Sequence, residues 1–293
     1  MQKKKIGVVI LNYLAYRESI DITKQFLKLP TKDIDLQVVV VDNKSPNESY
    51  FKIKKAFDGE EKVLVVQTDS NLGFANGNNY GYSELVKLFM PDYVIFSNSD
   101  IVLKNDRLFD WIIRMDEQNQ FGVLGPSVYS LRGKFHQNPN VNRNTNLRWN
   151  KEQLNKMRMK KFAFTIFADF PFLFSIVQGL RKEKTKQVDW GDYTKLTTNQ
   201  TLHGSFLIMS QRYLSKYITP FDTGTFLYME EDILKLRCLK KNIKMVYSPD
   251  YEVNHKQAVS TVRVNNSEIK RKLIRINNEM NSLKRYIEVL EEK

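Results

Sequence analysis

A mostly parallel α/β sheet with helices on both faces is what this chain predicts, and three observations carry that expectation. Short β-branched runs recur at Ile6–Leu11, Leu36–Val41, Val63–Val66 and Tyr93–Phe96. Stretches with helical spacing alternate with them, at about 17–29, 47–57 and 75–89. Each strand run is followed by a polar segment. Apolar strands alternating with helices build a parallel sheet covered on both sides. Ligands in such sheets bind beyond the carboxyl ends of the strands.

The first run follows Met1-Gln2-Lys3-Lys4-Lys5 and ends at Asn12-Tyr13. Six apolar residues are too few for the core of a secretory signal, so the run reads as a buried strand. The second run ends at Asp42-Asn43, the third is followed by Asn71-Leu72-Gly73-Phe74-Ala75-Asn76-Gly77-Asn78-Asn79, and the fourth by Asn98-Ser99-Asp100. Turn chemistry accounts for any one of these loops, since Asn, Asp and Gly fill turns. Four in succession at one sheet edge point to a site.

Residues from about 135 to 200 interrupt the order as an insert. An Asn-rich loop (Asn138, Asn140, Asn142, Asn144, Asn146) leads into a basic helical stretch, Trp149 to Lys161, and then into a Phe-rich run, Phe162 to Val177. The run is shorter than a bilayer span, and Asp169 and Pro171 sit inside it. Flanked by Lys160-Lys161 and Arg181-Lys182, it suits a segment lying among lipid headgroups. The alternative is a helix pair in a core or dimer interface. Alternation resumes at Leu202–Met209, with a helix from about Glu230 to Lys241 and a strand near Ile243–Tyr247.

In the tail, Ile269, Leu273, Ile276, Met280, Leu283, Ile287 and Leu290 repeat at spacings of 4 and 3 in turn, an a/d seam over three heptads. Such a seam suits three uses: pairing two chains as a homodimer, packing back on the body, or lying on a membrane.

The 293 residues include 46 Lys+Arg against 33 Asp+Glu, a net +13, and one cysteine, Cys238. A single cysteine excludes a disulfide scaffold and a cysteine-based zinc site, and suits a reducing compartment. The excess charge sits in residues 1–5, 141–190 and 255–293, around a nearly neutral body. A nucleic-acid-binding fold would carry its basic stripe through its own elements, so no nucleic-acid partner is expected. Basic appendages that also carry aromatic or heptad-spaced apolar residues fit a membrane surface better.

Taken together, the loops resemble the inverting family 2 glycosyltransferases of the GT-A (nucleotide-diphospho-sugar transferase) fold, most closely the bacterial rhamnosyl- and galactofuranosyl-transferase branch. The segment Asn71 to Gly81 is the most specific match; Ile6–Tyr13, Val38–Asn43, Asn98–Asp100 and Phe221–Arg237 follow in the expected order. The resemblance covers about 6–130 and 200–260. It implies a catalytic unit over 1–260, with a donor-binding half at 1–130, the insert, an acceptor-side half at 200–260 and a helical extension at 261–293.

The resemblance also implies chemistry. A nucleotide-sugar donor carries a diphosphate whose charge grows as the glycosidic bond breaks, and a divalent cation, Mg²⁺ or Mn²⁺, offsets it. Asn98-Ser99-Asp100 stands at the family's DXD position with Asn for the first Asp, so Asp100 is the main expected ligand, with Asn98 beside it and His255 as a third. Asn12, Tyr13, Asp42, Asn71, Gly73, Phe74, Gly77 and Asn78 are the expected donor contacts. Tyr13 could stack on the base and Asp42 accept from base or ribose. Gly73 and Gly77 would admit close backbone approach, and Asn78 and Asn79 suit sugar hydroxyls.

The acceptor hydroxyl must lose its proton as it attacks, which calls for a carboxylate base. Met229-Glu230-Glu231-Asp232-Ile233 aligns with the family's acidic motif; Glu231 is the expected base, Asp232 its rival, with Glu230 alongside. Acidic residues also favour helix N-termini for electrostatic reasons alone. His203, Gly204 and Ser205 are expected on the acceptor side. The expected activity is transfer of a sugar from a UDP- or dTDP-sugar to a glycan hydroxyl, the acceptor lipid-linked at the cytoplasmic face of a bacterial membrane. A catalytically silent nucleotide-sugar-binding module is the alternative, and the Asn98 and Ile233 departures favour it.

Overall fold

The computed structural model describes residues 3–140, 142–170, 172, 192–257 and 268–292. In chain order the elements are β1 (Lys4–Asn12), α1 (Tyr16–Leu27), β2 (Ile34–Asp42), α2 (Ser49–Ala56), β3 (Val63–Gln67), α3 (Gly73–Leu88), β4 (Tyr93–Asn98), β5 (Ile101–Leu103) and α4 (Leu108–Asn119). They continue as β6 (Val123–Ser130), β7 (Phe135–His136), α5 (Leu147–Asp169), β8 (Thr197–Thr198), β9 (Phe206–Ser210), α6 (Gln211–Leu214), α7 (Glu230–Lys240), β10 (Met245–His255) and α8 (Glu268–Glu291).

The main strands run in the order β3-β2-β1-β4-β9-β6-β10-β5. From β3 to β4 every pairing is parallel, in the register Val8 to Val38 and Val8 to Ile95. Beyond β4 the sheet is mixed: β9 is antiparallel to both β4 and β6, whereas β10 runs parallel to β6. The antiparallel β9 follows the insert, which brings the chain back to the sheet from the opposite end.

Alternation along the strands assigns the two faces. Ile6, Val8 and Ile10 of β1 face Ile22 and Phe26 of α1, Ile53 of α2 and Ile112 of α4. Val9, with Val39 and Val41 of β2, faces Ala75 and Leu85 of α3 and Leu234 and Cys238 of α7. Gly77 and Gly81 bring α3 close against this second face. A Cβ at Gly81 would come within 2.6 Å of Val9 and Val41, and one at Gly77 within 2.6 Å of Leu11.

The tail folds back within the chain. Met280, Leu283, Ile287 and Leu290 of α8 pack with Leu154 of α5 and Ile233 and Leu236 of α7, while Ile269, Leu273 and Ile276 meet Phe164 and Phe167. Of the three uses open to the seam, packing on the body is the one observed, and the apolar positions that would have paired two chains are occupied. Residues 173–177 of the Phe-rich run lie outside the described residues. No helix among the described residues is long and apolar enough to cross a membrane.

Candidate active site

Strands β1, β2 and β4 end side by side, so Asn12, Asp42 and Asn98 lie at one sheet edge. Their side chains have different fates. Asp42 is fully buried: Oδ1 accepts from Asn12 Nδ2 and Ser45 Oγ, each at 2.6 Å, and Oδ2 from Gln67 Nε2 at 2.8 Å and the Ser45 N–H at 3.1 Å. Asn12 is buried too, its Oδ1 accepting from Ser19 Oγ at 2.8 Å and the Ala15 N–H at 3.2 Å. A carboxylate already accepting four bonds has little left for base or ribose. Both residues tie strand ends to their loops at the edge where the donor is expected. Tyr13 sits half-buried at the same edge.

The Asn- and Gly-rich segment also does something other than expected. Gly73 has φ +76°, and a Cβ there would overlap the Phe226 carbonyl. That oxygen accepts from the Phe74 N–H at 2.9 Å. Asn79 makes a reciprocal pair with the Phe221 backbone, donating to its carbonyl at 3.0 Å and accepting from its N–H at 2.9 Å. Asn76 donates to the Thr223 carbonyl at 3.2 Å, and Asn78, almost fully buried, to the Phe74 carbonyl at 3.0 Å. The signature therefore clamps residues 221–226 to α3, Gly73 and Gly77 allow close packing there, and Asn78 keeps a buried Oδ1 without a hydrogen-bond partner. Asn43, at the end of the second strand motif, orders the loop before α3: its Nδ2 reaches the Gly73 carbonyl at 2.9 Å and Asn71 Oδ1 at 3.1 Å, and its Oδ1 accepts from the Leu72 N–H at 2.9 Å.

The clamped loop delivers α7. Tyr228 and Met229 have positive φ, 78° and 65°, uncommon for residues with side chains and found where the surroundings enforce them. They turn the chain so that Glu230, Glu231 and Asp232 form the first turn of α7. A helix N-terminus accounts for acidic residues by itself, but not for the burial of Glu230 and the partial burial of Glu231 and Asp232. The Glu231 carboxylate accepts from the Gly204 N–H at 3.0 Å, and a Cβ on Gly204 would lie 2.6 Å from that oxygen. Burial pushes the Glu231 carboxyl up, more than the Gly204 and local backbone N–H groups pull it down. Burial and the adjacent Glu231 also raise Glu230. Asp232 is pushed up to about 6 by burial and Glu231, against Arg143 and Lys235.

These carboxylates line a cleft of about 790 Å³ together with Asn98, Phe74 and the His203-Gly204-Ser205 segment. The far wall is formed by the insert and tail, with Arg143, Trp149, Met157 and Lys160 facing Leu283 and Glu279. Arg143 is stacked over the Tyr286 ring, 5.2 Å from its centroid, and its charge reaches Asp232. Nothing in the sequence spacing singles out Arg143, because it reaches the cleft only through the packing of α5 on α8.

Asp100 and His255 meet beside the cleft, with Asp100 Oδ2 3.3 Å from His255 Nε2. His255 Nδ1 is 2.8 Å from Gln137 Oε1, an outer hydrogen bond of the kind that orients metal-binding imidazoles. His203 lies edge-on to His255, ring centroids 5.6 Å apart, and its Nδ1 accepts from the Ser205 N–H at 3.2 Å. The neighbouring Asn138 accepts from the His203 N–H at 2.9 Å. Gln137 thus orients the His255 imidazole while Asn138 fixes the His203 backbone and Ser205 its ring; neither Gln137 nor Asn138 is among the site residues expected from sequence. Among the described residues no group of three His, Cys, Asp or Glu is arranged for a metal. A carboxylate and an oriented imidazole fit a cation that completes its shell with substrate phosphates and water, the usual habit of Mg²⁺.

The model of the glycosyl transferase family 2 matches residues 10–181 of the chain. The match takes in most of the insert that the sequence reading had set outside the resemblance. The chain is 24% identical over 231 residues to the rhamnosyltransferase WbbL of Escherichia coli (strain K12), covering 74% of this chain and 76% of that protein. Against the crystal structure of S. aureus TarS 1–349 it superposes with a TM-score of 0.49 at 14% identity, over 91% of this chain and 68% of that one.

Proposed function

The chain belongs to glycosyl transferase family 2, a transferase of the mixed α/β, GT-A type, and from that premise we propose an inverting, metal-assisted transfer of a sugar from a UDP- or dTDP-sugar to a glycan hydroxyl. The observation that carries the reading is Glu231. Its carboxylate is held in the cleft by the Gly204 N–H, its affinity for protons is raised by burial, and Asn98 lines the same cleft. A carboxylate with a raised pKa is better suited to take a proton near neutral pH.

In this reading Glu231 accepts the acceptor's hydroxyl proton as the oxygen attacks the anomeric carbon. Asp232, screened by Arg143, adjusts the local charge. Gly204 holds the base in place, and Ser205 holds His203 beside the acceptor. Asp100 and His255 would hold a divalent cation, with Asn98 as a neutral neighbour; the cation would neutralise charge on the departing diphosphate. Tyr13, Phe74 and Asn98 are the side chains proposed to meet the donor, with Asn71 at its rim.

Likeness to a rhamnosyltransferase supports a deoxyhexose donor and a place in cell-surface polysaccharide synthesis, with a lipid-linked acceptor at the inner face of the membrane. The test is a thermal-shift panel of UDP-, dTDP- and GDP-sugars with and without Mn²⁺, since a ligand that binds only the folded state raises its stability. A metal-dependent shift with one donor, and turnover abolished in Glu231→Ala, are expected. No shift with any donor, or undiminished turnover in that variant, overturns the reading. A shift without turnover towards any acceptor or water would instead favour a silent binding module, which the Asn98 departure would suit.

A further inference from the structure

The second half of α5 has two apolar faces, and among the described residues only one of them is covered. Leu154 and Phe164 point into the clusters shared with α8. Met159, Phe162 and Ile166 recur at spacings of 3 and 4, one stripe of the helix, with Phe170 following at its C-cap, and all are exposed: 73% for Met159, 70% for Phe162 and 54% for Phe170. Large apolar side chains concentrated in this way mark an interaction surface. Between Gln153 and Ala168 the helix carries Lys156, Arg158, Lys160 and Lys161 and no acidic residue.

We propose that this face of α5 docks the enzyme onto an anionic lipid bilayer, the stripe entering the headgroup region and Lys156 and Arg158, which flank it on either side, meeting lipid phosphates. An interfacial helix carries apolar residues on one side and Lys or Arg beside them; α5 has both and cannot span. The rival occupant is a second copy of the chain. An isologous pair would set the Lys156 and Arg158 of each helix against those of its partner, whereas anionic lipid neutralises them. Trp149, Met157 and Lys160 of the same helix wall the cleft, so docking through α5 brings the cleft to the lipid surface. This inference deepens the lipid-linked-acceptor reading above and rests on it.

The test uses the full chain and vesicles of phosphatidylcholine, alone or with about one-third phosphatidylglycerol. Binding to the anionic vesicles is expected to weaken with salt and to fall about tenfold or more in the double variant Phe162→Glu/Phe170→Glu. Unfolding midpoints of the two proteins should agree, because both side chains are exposed. Absence of wild-type binding, equal binding by the variant, or a lipid-free dimer that the variant converts to monomer would overturn the proposal. The donor-induced thermal shift is read on the same samples. Its presence without vesicle binding sinks only this inference; its absence sinks the proposed donor chemistry, and vesicle binding then reports on the surface alone.

Discussion

Arg285 of α8 and Asp222 of the loop before α7 form a two-pronged ion pair, Nε to Oδ1 at 2.8 Å and a terminal nitrogen to Oδ2 at 2.9 Å. Sixty-three residues of chain separate them. Gly224 lies under the arginine, where a Cβ would come within 2.5 Å of Arg285 Cδ, and Ser282 of α8 donates to the Leu227 carbonyl at 2.7 Å. The tail therefore holds the outer side of the loop that α3 holds from the inner side. Between the two, the position of Glu231 is set.

Arg285→Ala is expected to lower stability by about 2 kcal/mol, since truncating one partner of a half-buried bidentate pair leaves the other poorly solvated. Transfer should fall with it, and Arg285→Lys, with one prong, should lie between. Burial would raise the Asp222 carboxyl, but Arg285 and the Gly224 N–H outweigh it and hold the group below its usual range. A depressed carboxylate stabilises the fold above the unfolded pKa and loses that contribution as pH falls through the folded one. Denaturant titrations should show the wild-type advantage over Arg285→Ala shrinking below about pH 4. An advantage independent of pH would contradict the pair's role.

Gly204→Ala tests whether the Glu231 position matters. The new Cβ would lie 2.6 Å from the carboxylate oxygen, so kcat should drop roughly 10- to 100-fold while donor binding persists. Glu231→Gln should cost about 10²–10⁴ in kcat, the usual scale for a general base. If Asp232→Asn shows the larger loss, Asp232 is the base.

The same variants make a prediction about pH. Asp232 has a folded pKa pushed up to about 6. A raised carboxyl binds protons more readily in the folded state, so its contribution falls as pH rises from about 4, the unfolded value, to about 6. Asp232→Asn should therefore be more stable than wild type at pH 7 and lose that margin at pH 4, by thermal unfolding. The kcat of the wild type should fall on the acid side as the raised Glu231 carboxyl takes up its proton.

Gln137→Leu removes the hydrogen bond to His255 Nδ1 without touching Asp100. Loss of such an outer partner typically weakens a metal site 10- to 100-fold. The Mn²⁺ concentration needed for half-maximal donor-induced stabilisation should rise by that factor, and chelation should abolish the shift in both proteins. An unchanged Mn²⁺ requirement would remove His255 from the metal site.

Gly81→Ala probes the contact between α3 and the sheet. The added methyl would overlap Val9 and Val41, and overpacking of this kind costs about 1–3 kcal/mol. A neutral result in chemical denaturation would show that α3 can shift without loss.

Local pattern was enough for β1 to β4, β9, β10, α1 to α3, α7, α8 and the order of the motifs, because burial on two faces and helical periodicity are written into neighbouring residues; α4 and the central strand β6, whose Gly125-Pro126 interrupts its apolar run, were not anticipated. Glu231, Gly204, Asp100 and His255, proposed for the site from sequence, each stand near the end or start of an element and lie in or beside one cleft. Local pattern could not tell a polar side chain that faces a ligand from one that ties two loops together. Asp42 and Asn98 both end buried strands, yet four donors converge on Asp42 inside the protein while Asn98 opens on the cleft. The heptad seam of the tail was equally indifferent among a second chain, a membrane and the body. Apolar area has no direction, so the choice fell to α5 and α7, which present matching faces only after the sheet has placed them. Sequence by itself determined which elements form and which chemistry they carry; tertiary structure decided where each polar group points, because that depends on partners far away along the chain.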